Sequence, residues 1–142
     1  MQNDTNPTTT DGRTGSTVYP ARRVVYSVND IKAVMEAAGS HWWEPSTMRF
    51  FASRVPMGQT LYRMPDGLLA FVTSEKASFS DSTRRWSVRT WNPLAWVSRA
   101  CDTPDALGGF CGHASRAWAV RAIREAGGVA LVGGVTLAEV TR

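Results

Sequence analysis

The chain has few of the residues that cross-link a small domain or bind a metal, with two cysteines and two histidines among 142 residues. Cys101 and Cys111 are too few for a disulfide framework. Zinc needs three or four converging ligands, yet Cys111 and His113 are separated by one residue, and His41 and Cys101 lie further away in the sequence. We therefore expect reduced, buried thiols, no metal and no cofactor.

Long hydrophobic runs are also missing. No apolar run approaches the roughly 20 residues that span a bilayer, and the polar N-terminus has no apolar segment typical of a signal peptide. We therefore expect a cytoplasmic protein that makes no membrane contact.

Recognisable catalytic signatures are lacking as well. Gly127 and Gly128 follow a predicted helix, whereas a phosphate loop opens one. Cys111 beside His113, oriented by Asp102 or Asp105, is a possible nucleophilic arrangement, but no family-specific signature surrounds it. We expect a protein without enzymatic activity.

Positive charge is carried almost entirely by arginine. Sixteen basic residues stand against twelve acidic ones, giving a net charge of +4, and only Lys32 and Lys76 are lysines. The planar guanidinium suits carboxylates, phosphates and aromatic faces. With a pI near 9.6, the composition permits an acidic protein or a nucleic acid as partner.

The sequence predicts a disordered tail over residues 1–17, because this polar stretch has no large apolar side chain, and one small domain over residues 18–142. A first helix begins at Ser27, with Asp30 as a short capping-box partner, and ends at Gly39. A second helix runs from about Ser115 to Ala126. A short apolar run at 24–26 is either an edge strand or the approach to the first helix. The segment from Pro93 to Arg99 is either a short helix or, through Trp91 and Trp96, the continuation of an irregular strand.

Strands are predicted over residues 47–55, 68–74 and 84–91, with a turn at residues 65–67. The paired glycines at 133–134 between two apolar runs predict a C-terminal β-hairpin. The fold class expected is α+β in the order α-β-β-β-α: a two-layer arrangement with a three-stranded antiparallel sheet and helices on one face.

Alternation along the predicted strands places arginines on the solvated face of this sheet. Adjacent tryptophans in the loop after the first helix either anchor an interface or close the core. The residues predicted to form a binding surface are Arg49, Phe51, Arg85, Arg89, Trp91, Trp42 and Trp43.

Residues 46–54, 72–76 and 110–116 resemble a group of short proteins of unknown function that are encoded by actinobacterial phages and their hosts. The resemblance covers about residues 30–126, implies a phage setting and an autonomous small domain, and transfers no functional residue. The element order is also similar to a double-stranded-RNA-binding domain. That family places a lysine pair at the start of the second helix, where this chain has Arg116 followed by Ala117.

These observations favour a non-enzymatic, phage-type binding protein that engages a host or phage macromolecule, most simply a protein, through an Arg- and Trp-bearing surface. Two alternatives stay open: a regulator that binds nucleic acid through the basic sheet face, and a virion or assembly component. The sequence does not specify an oligomeric state.

Overall fold

The computed structural model describes residues 24–25, 27–78, 80–92, 101–132 and 135–136. The helices are α1 (Val28–Ala37), α2 (Pro45–Phe50) and α3 (Arg116–Glu125), with a 3-10 turn at Asp105–Leu107. The strands are β1 (Val24–Val25), β2 (Ser53–Arg54), β3 (Tyr62–Arg63), β4 (Leu69–Lys76), β5 (Arg84–Trp91), β6 (Val129–Ala130) and β7 (Val135–Thr136). The α+β fold is confirmed. The predicted tail at residues 1–17 and the predicted helix at residues 93–99 lie outside the described residues.

The first and last helices begin where the sequence predicts, because polar caps hold their first turns. At α1, the backbone N–H of Ser27 donates to Asp30 Oδ2 at 3.0 Å. At α3, Ser115 Oγ accepts from the backbone N–H of Trp118 at 3.2 Å. Such caps satisfy N–H groups that have no partner within the helix. None of the helices in the described ranges is both long enough and apolar enough to cross a bilayer.

The main sheet has five antiparallel strands in the described residues, with β4 at its centre. Strand β5 pairs with all of β4, from Leu69 opposite Trp91 to Lys76 opposite Arg84. On the other side of β4, strand β2 pairs near its end and β3 near its beginning, and β6 adds to β3. A predicted pair of middle strands is therefore confirmed as the centre of the sheet.

Both faces of this sheet are covered. Leu69 and Phe71 on the first face of β4 share one hydrophobic cluster with the apolar side of α1. Ala70 and Val72 on the second face share another cluster with α3. The expectation that helices cover one face and leave the other solvated is therefore wrong. Residues 69–73 form an almost continuous apolar run, which is typical of a strand buried on both sides.

The first predicted strand is mostly a helix. Residues 45–50 form α2, which starts at Pro45, and only the two residues Ser53–Arg54 pair as β2. Proline at the first helical position has a φ already suited to the helix and lacks an N–H that would be unpaired there anyway. Ala52 then adopts a left-handed φ of 53° and turns the chain into β2.

The predicted C-terminal hairpin is also corrected. Strand β6 pairs with β3 in the main sheet, whereas β7 pairs with β1 in a separate two-stranded sheet. The two glycines at 133–134 lie outside the described residues. The apolar run at 24–25 is confirmed as an edge strand, β1, because β7 supplies its partner.

A candidate binding groove beside a buried ion pair

A buried ion pair lies on the first face of the sheet, between the two central strands. Glu75 of β4 is fully buried, and Arg89 of β5 is 8% exposed. Arg89 Nη2 contacts Glu75 Oε1. Ser53 Oγ donates to the same carboxylate oxygen at 2.6 Å, and Thr73 Oγ1 donates to Oε2 at 3.1 Å. A buried carboxylate surrounded by donors avoids the cost of an unpaired charge.

Arg89 is held on several sides at once. Its Nη1 donates to the carbonyl oxygen of Cys101 at 2.8 Å, and its guanidinium lies 5.2 Å from the ring centroid of Trp42. The indole of Trp42 packs edge-on against Trp43, whose Nε1 donates to Met35 Sδ. The ion pair is thus joined to the core beneath α1 and is unavailable to a partner.

The pKa of Glu75 reflects these contacts. Burial raises it, but the hydrogen bond from Ser53 and the positive charge of Arg89, together with the hydrogen bond from Ser87, outweigh burial. The pKa of Glu75 therefore lies below its ordinary value. This carboxylate stays ionised at neutral pH and stabilises the sheet interior.

The seven residues predicted to form one binding surface divide into two groups. Arg89, Trp91, Trp42 and Trp43 are buried, and the last three belong to the core on the first face. The predicted solvated arginine face is therefore wrong, because Glu75 and Trp42 draw Arg89 inward. The remaining three, Arg49, Phe51 and Arg85, are exposed. Arg49 lies on helix α2, whereas a strand was expected there.

An aromatic groove lies across the end of β4. Phe50 is 68% exposed, Phe51 44% and Phe110 46%. These three side chains line a groove of about 270 Å³, which we call the aromatic groove; its remaining lining residues are Ala52, Lys76, Ala77 and Ser78. Phe50 and Phe51 meet edge to face at 5.1 Å between ring centroids. Three large exposed apolar rings at one place are unusual on a soluble surface and are typical of interaction sites.

One cation, Lys76, lines this groove, and two arginines donate to backbone at or next to its lining. Arg85 Nε donates at 2.6 Å to the carbonyl oxygen of Cys111, the residue after Phe110. Arg84 Nη1 donates at 3.3 Å to the carbonyl oxygen of Ala52 in the groove lining. Partial burial and the like charge of Arg54 lower the pKa of Arg84, against the opposing effect of Glu75. Cations close enough to repel one another favour an anionic ligand.

The cysteines and histidines have structural partners. His113 Nε2 donates to the carbonyl oxygen of Leu107 at 2.7 Å, and the backbone N–H of Cys111 donates to Ser87 Oγ at 2.7 Å. Cys101 and Cys111 are buried free thiols, as expected. Burial raises the pKa of Cys101 to about 12, and burial together with the charge of Glu75 raises that of Cys111. A metal-binding group of three such side chains is not found among the described residues.

Phe50, Phe110 and Glu75 were not among the residues predicted to have a role. A signal for exposure was present, since Phe50 and Phe51 are adjacent and side chains of successive residues point in different directions, so one core cannot readily bury both rings. Phe110 follows two glycines in a loop. A loop has no helical or strand periodicity from which the exposure of a side chain could be predicted. Glu75 is 14 residues from Arg89, and their pairing depends on the register of two strands.

Comparison with protein families gives one match, over residues 27–124, to a family of unknown function. The chain belongs to this family, DUF7447. The DUF7447 match includes all the residues of the aromatic groove and nearly all of α3. It confirms that the chain belongs to a family without an assigned activity. Its phage or actinobacterial setting stays a prediction. Neither the curated protein sequences nor the solved structures contain a significant match.

Proposed function

We propose that this member of DUF7447 is a non-enzymatic binding protein whose aromatic groove receives an acidic, apolar segment of another protein. The observation that supports this proposal is the convergence of Phe50, Phe51 and Phe110 on one groove with arginines around it. Large aromatic side chains that become buried on association supply much of the binding energy at protein interfaces.

The size of the groove favours a side chain as its occupant. Sites for drug-sized ligands and cofactors usually measure about 300–1,000 Å³, and this groove is smaller, at about 270 Å³. One or two apolar side chains of a peptide would pack against the phenyl rings. The ionic groups of Glu75 and Arg89 are engaged with each other in the sheet interior, which supports a binding role over a catalytic one.

The charge around the groove favours an acidic segment. Arg84 and Arg85 each donate a hydrogen bond to backbone beside the groove, and an arginine side chain is cationic at neutral pH. Lys76 is part of its lining. Carboxylates that flank the apolar residues of a partner would pair with these cations and increase the association rate.

The biological setting is part of the proposal. Given the resemblance to short phage and host proteins, the partner would be a host or phage protein met in the host cytoplasm. Nucleic-acid binding was expected on the basic sheet face; because Arg89 is buried there, that alternative now uses the groove, with bases stacked on the phenyl rings. Under the assembly hypothesis, the groove would join copies in a virion. The experiment below separates these outcomes from the first.

The test is selection of displayed random peptides on the immobilised protein, followed by fluorescence polarisation with the selected peptides. We expect enrichment of sequences that combine Asp or Glu with large apolar residues. Phe51→Ala should weaken binding about thirtyfold, because loss of a central aromatic anchor costs about 2 kcal/mol or more. Arg85→Glu should also weaken it, by repelling the acidic residues.

The matched control is Trp118→Ala, which removes an exposed aromatic side chain on α3, outside the groove. It should bind the selected peptides as the wild type does. Failure to select any peptide, or equal binding by the Phe51→Ala variant, would contradict the proposal. Phe51-dependent binding of an oligonucleotide would favour the nucleic-acid hypothesis, and Phe51-dependent dimers in light scattering would favour the assembly hypothesis.

A further inference from the structure

Helix α3 presents a second aromatic and cationic surface. The helix buries Ala119 and Ile123 against the second face of the sheet and leaves Trp118 55% exposed. Arg121 and Arg124, three and six residues further on, are also exposed. The ten-residue helix contains three arginines and one glutamate, so its charge is positive. We call Trp118, Arg121 and Arg124 the α3 surface.

Both of these arginines stack on aromatic rings. The guanidinium of Arg121 lies 5.0 Å from the ring centroid of Trp118, and Glu125 Oε2 accepts from Arg121 Nε at 3.0 Å. Arg124 lies 5.4 Å from the ring centroid of Tyr62 and donates from Nη2 to its hydroxyl at 3.3 Å. These contacts orient the guanidinium groups while their charge stays at the surface.

We propose that the α3 surface binds single-stranded nucleic acid. Arg121 lies over the Trp118 indole, which is still 55% exposed and offers ring surface on which an unpaired base can stack. The exposed guanidiniums of Arg121 and Arg124 suit phosphate oxygens. In a duplex, the faces of the bases are covered by their neighbours, so the stacking contact requires a single strand. This function is separate from peptide binding in the aromatic groove, since the two surfaces share no residue.

The stacking contact predicts how a substitution of Trp118 changes affinity. Loss of one base–aromatic stack weakens single-strand binding about fivefold to 150-fold. Trp118→Ala should show this loss, whereas Trp118→Phe, which keeps a ring, should retain most of the affinity. Because the side chain is 55% exposed, neither variant should change the melting temperature by more than a few degrees.

The phosphate contacts predict how affinity depends on salt. Each contact to a single strand contributes about −0.7 to the slope of log K against log salt concentration. With Arg121 and Arg124 as the two contacts, the slope should be about −1.4. Arg124→Gln should reduce its magnitude by about 0.7.

The experiment is fluorescence anisotropy of labelled 12-nucleotide mixed-sequence RNA and DNA single strands with the full chain, at several salt concentrations. We expect salt-dependent binding that Trp118→Ala weakens and that Phe51→Ala, in the aromatic groove, leaves unchanged. Absence of binding at low salt, or equal affinity of the Trp118→Ala variant, would overturn the proposal. Equal binding of a duplex or of polyglutamate would also overturn it, because neither offers an unpaired base.

Discussion

The substitution Arg89→Met tests the buried ion pair directly. In the folded protein Arg89 neutralises the fully buried Glu75, donates to the carbonyl oxygen of Cys101 and lies over the ring of Trp42. Methionine is also long and unbranched and can pack against the ring of Trp42, but it carries no charge and no hydrogen-bond donor. The substitution therefore leaves a carboxylate in the sheet interior without its counter-ion.

The expected loss follows from those contacts. Removing one partner of a buried pair costs about 3–5 kcal/mol, because the remaining charge stays desolvated. The Cys101 carbonyl, left without its donor, and the lost cation–π contact also lower the stability, but these contributions do not simply add to that of the ion pair. We therefore expect the free energy of unfolding to fall by about 3–5 kcal/mol, a large fraction of the stability of a domain of this size.

The measurement is equilibrium unfolding in urea, followed by tryptophan fluorescence and circular dichroism. Arg85→Met is the matched control in the same strand. Arg85 is exposed and donates a hydrogen bond of 2.6 Å to a backbone carbonyl, so its loss should cost about 0.5–1.5 kcal/mol. Adding Glu75→Gln to Arg89→Met should restore part of the stability, because the neutral amide no longer needs a counter-ion. A loss below about 1 kcal/mol for Arg89→Met would refute the reasoning, since buried pairs cost more to break.

Three further predictions concern acid stability, backbone packing and thiol reactivity. Because the pKa of Glu75 is lowered in the folded protein, its contribution to stability is fully present above its unfolded pKa, near 4.5, and is lost as pH falls through the lower folded pKa. Between pH 6 and pH 2, the free energy of unfolding should therefore fall less in Glu75→Gln than in the wild type. Gly112→Ala should lower the free energy of unfolding by about 1–3 kcal/mol, because the new Cβ would overlap the backbone of Gly108. The control Gly58→Ala places its Cβ in open space and should not destabilise the protein, so equal melting temperatures for the two variants would contradict this packing. Cys101 has a buried side chain and a pKa of about 12, so it should not react with iodoacetamide at pH 8 until the protein unfolds. Rapid labelling of Cys101 in the folded protein, detected by mass spectrometry, would contradict this.

Much of the fold follows from local signals in the sequence. Ser27 and Ser115 start α1 and α3 because their caps involve residues only three positions away. The central strands follow from the apolar run at residues 69–73 and from the alternation of Trp86, Val88 and Thr90 with polar residues over residues 84–91. Residues 47–51 show the limit of such signals: their short apolar pattern suits a strand or a helix, and Pro45 decides for the helix.

The candidate site was predictable only in part. Phe51 lines the aromatic groove and Arg85 donates to backbone next to it, so residue type was a useful guide for these two. Arg49 is exposed on α2. Arg89 was misplaced because its burial depends on Glu75, and this partner is identified only by the register between two strands. Burial of both sheet faces did have a local signal, the apolar run at residues 69–73. Which amphipathic helix covers which face has none, because that depends on the path of the chain.

The most direct test of the proposed binding role is a titration of ¹⁵N-labelled protein with a selected acidic peptide, followed by amide chemical shifts. We expect the largest changes at Phe51, Ala77 and Phe110, which line the aromatic groove, and unchanged shifts along α3. Changes confined to α3, or none in the groove at saturating peptide, would contradict the assignment of this groove as the protein-binding site.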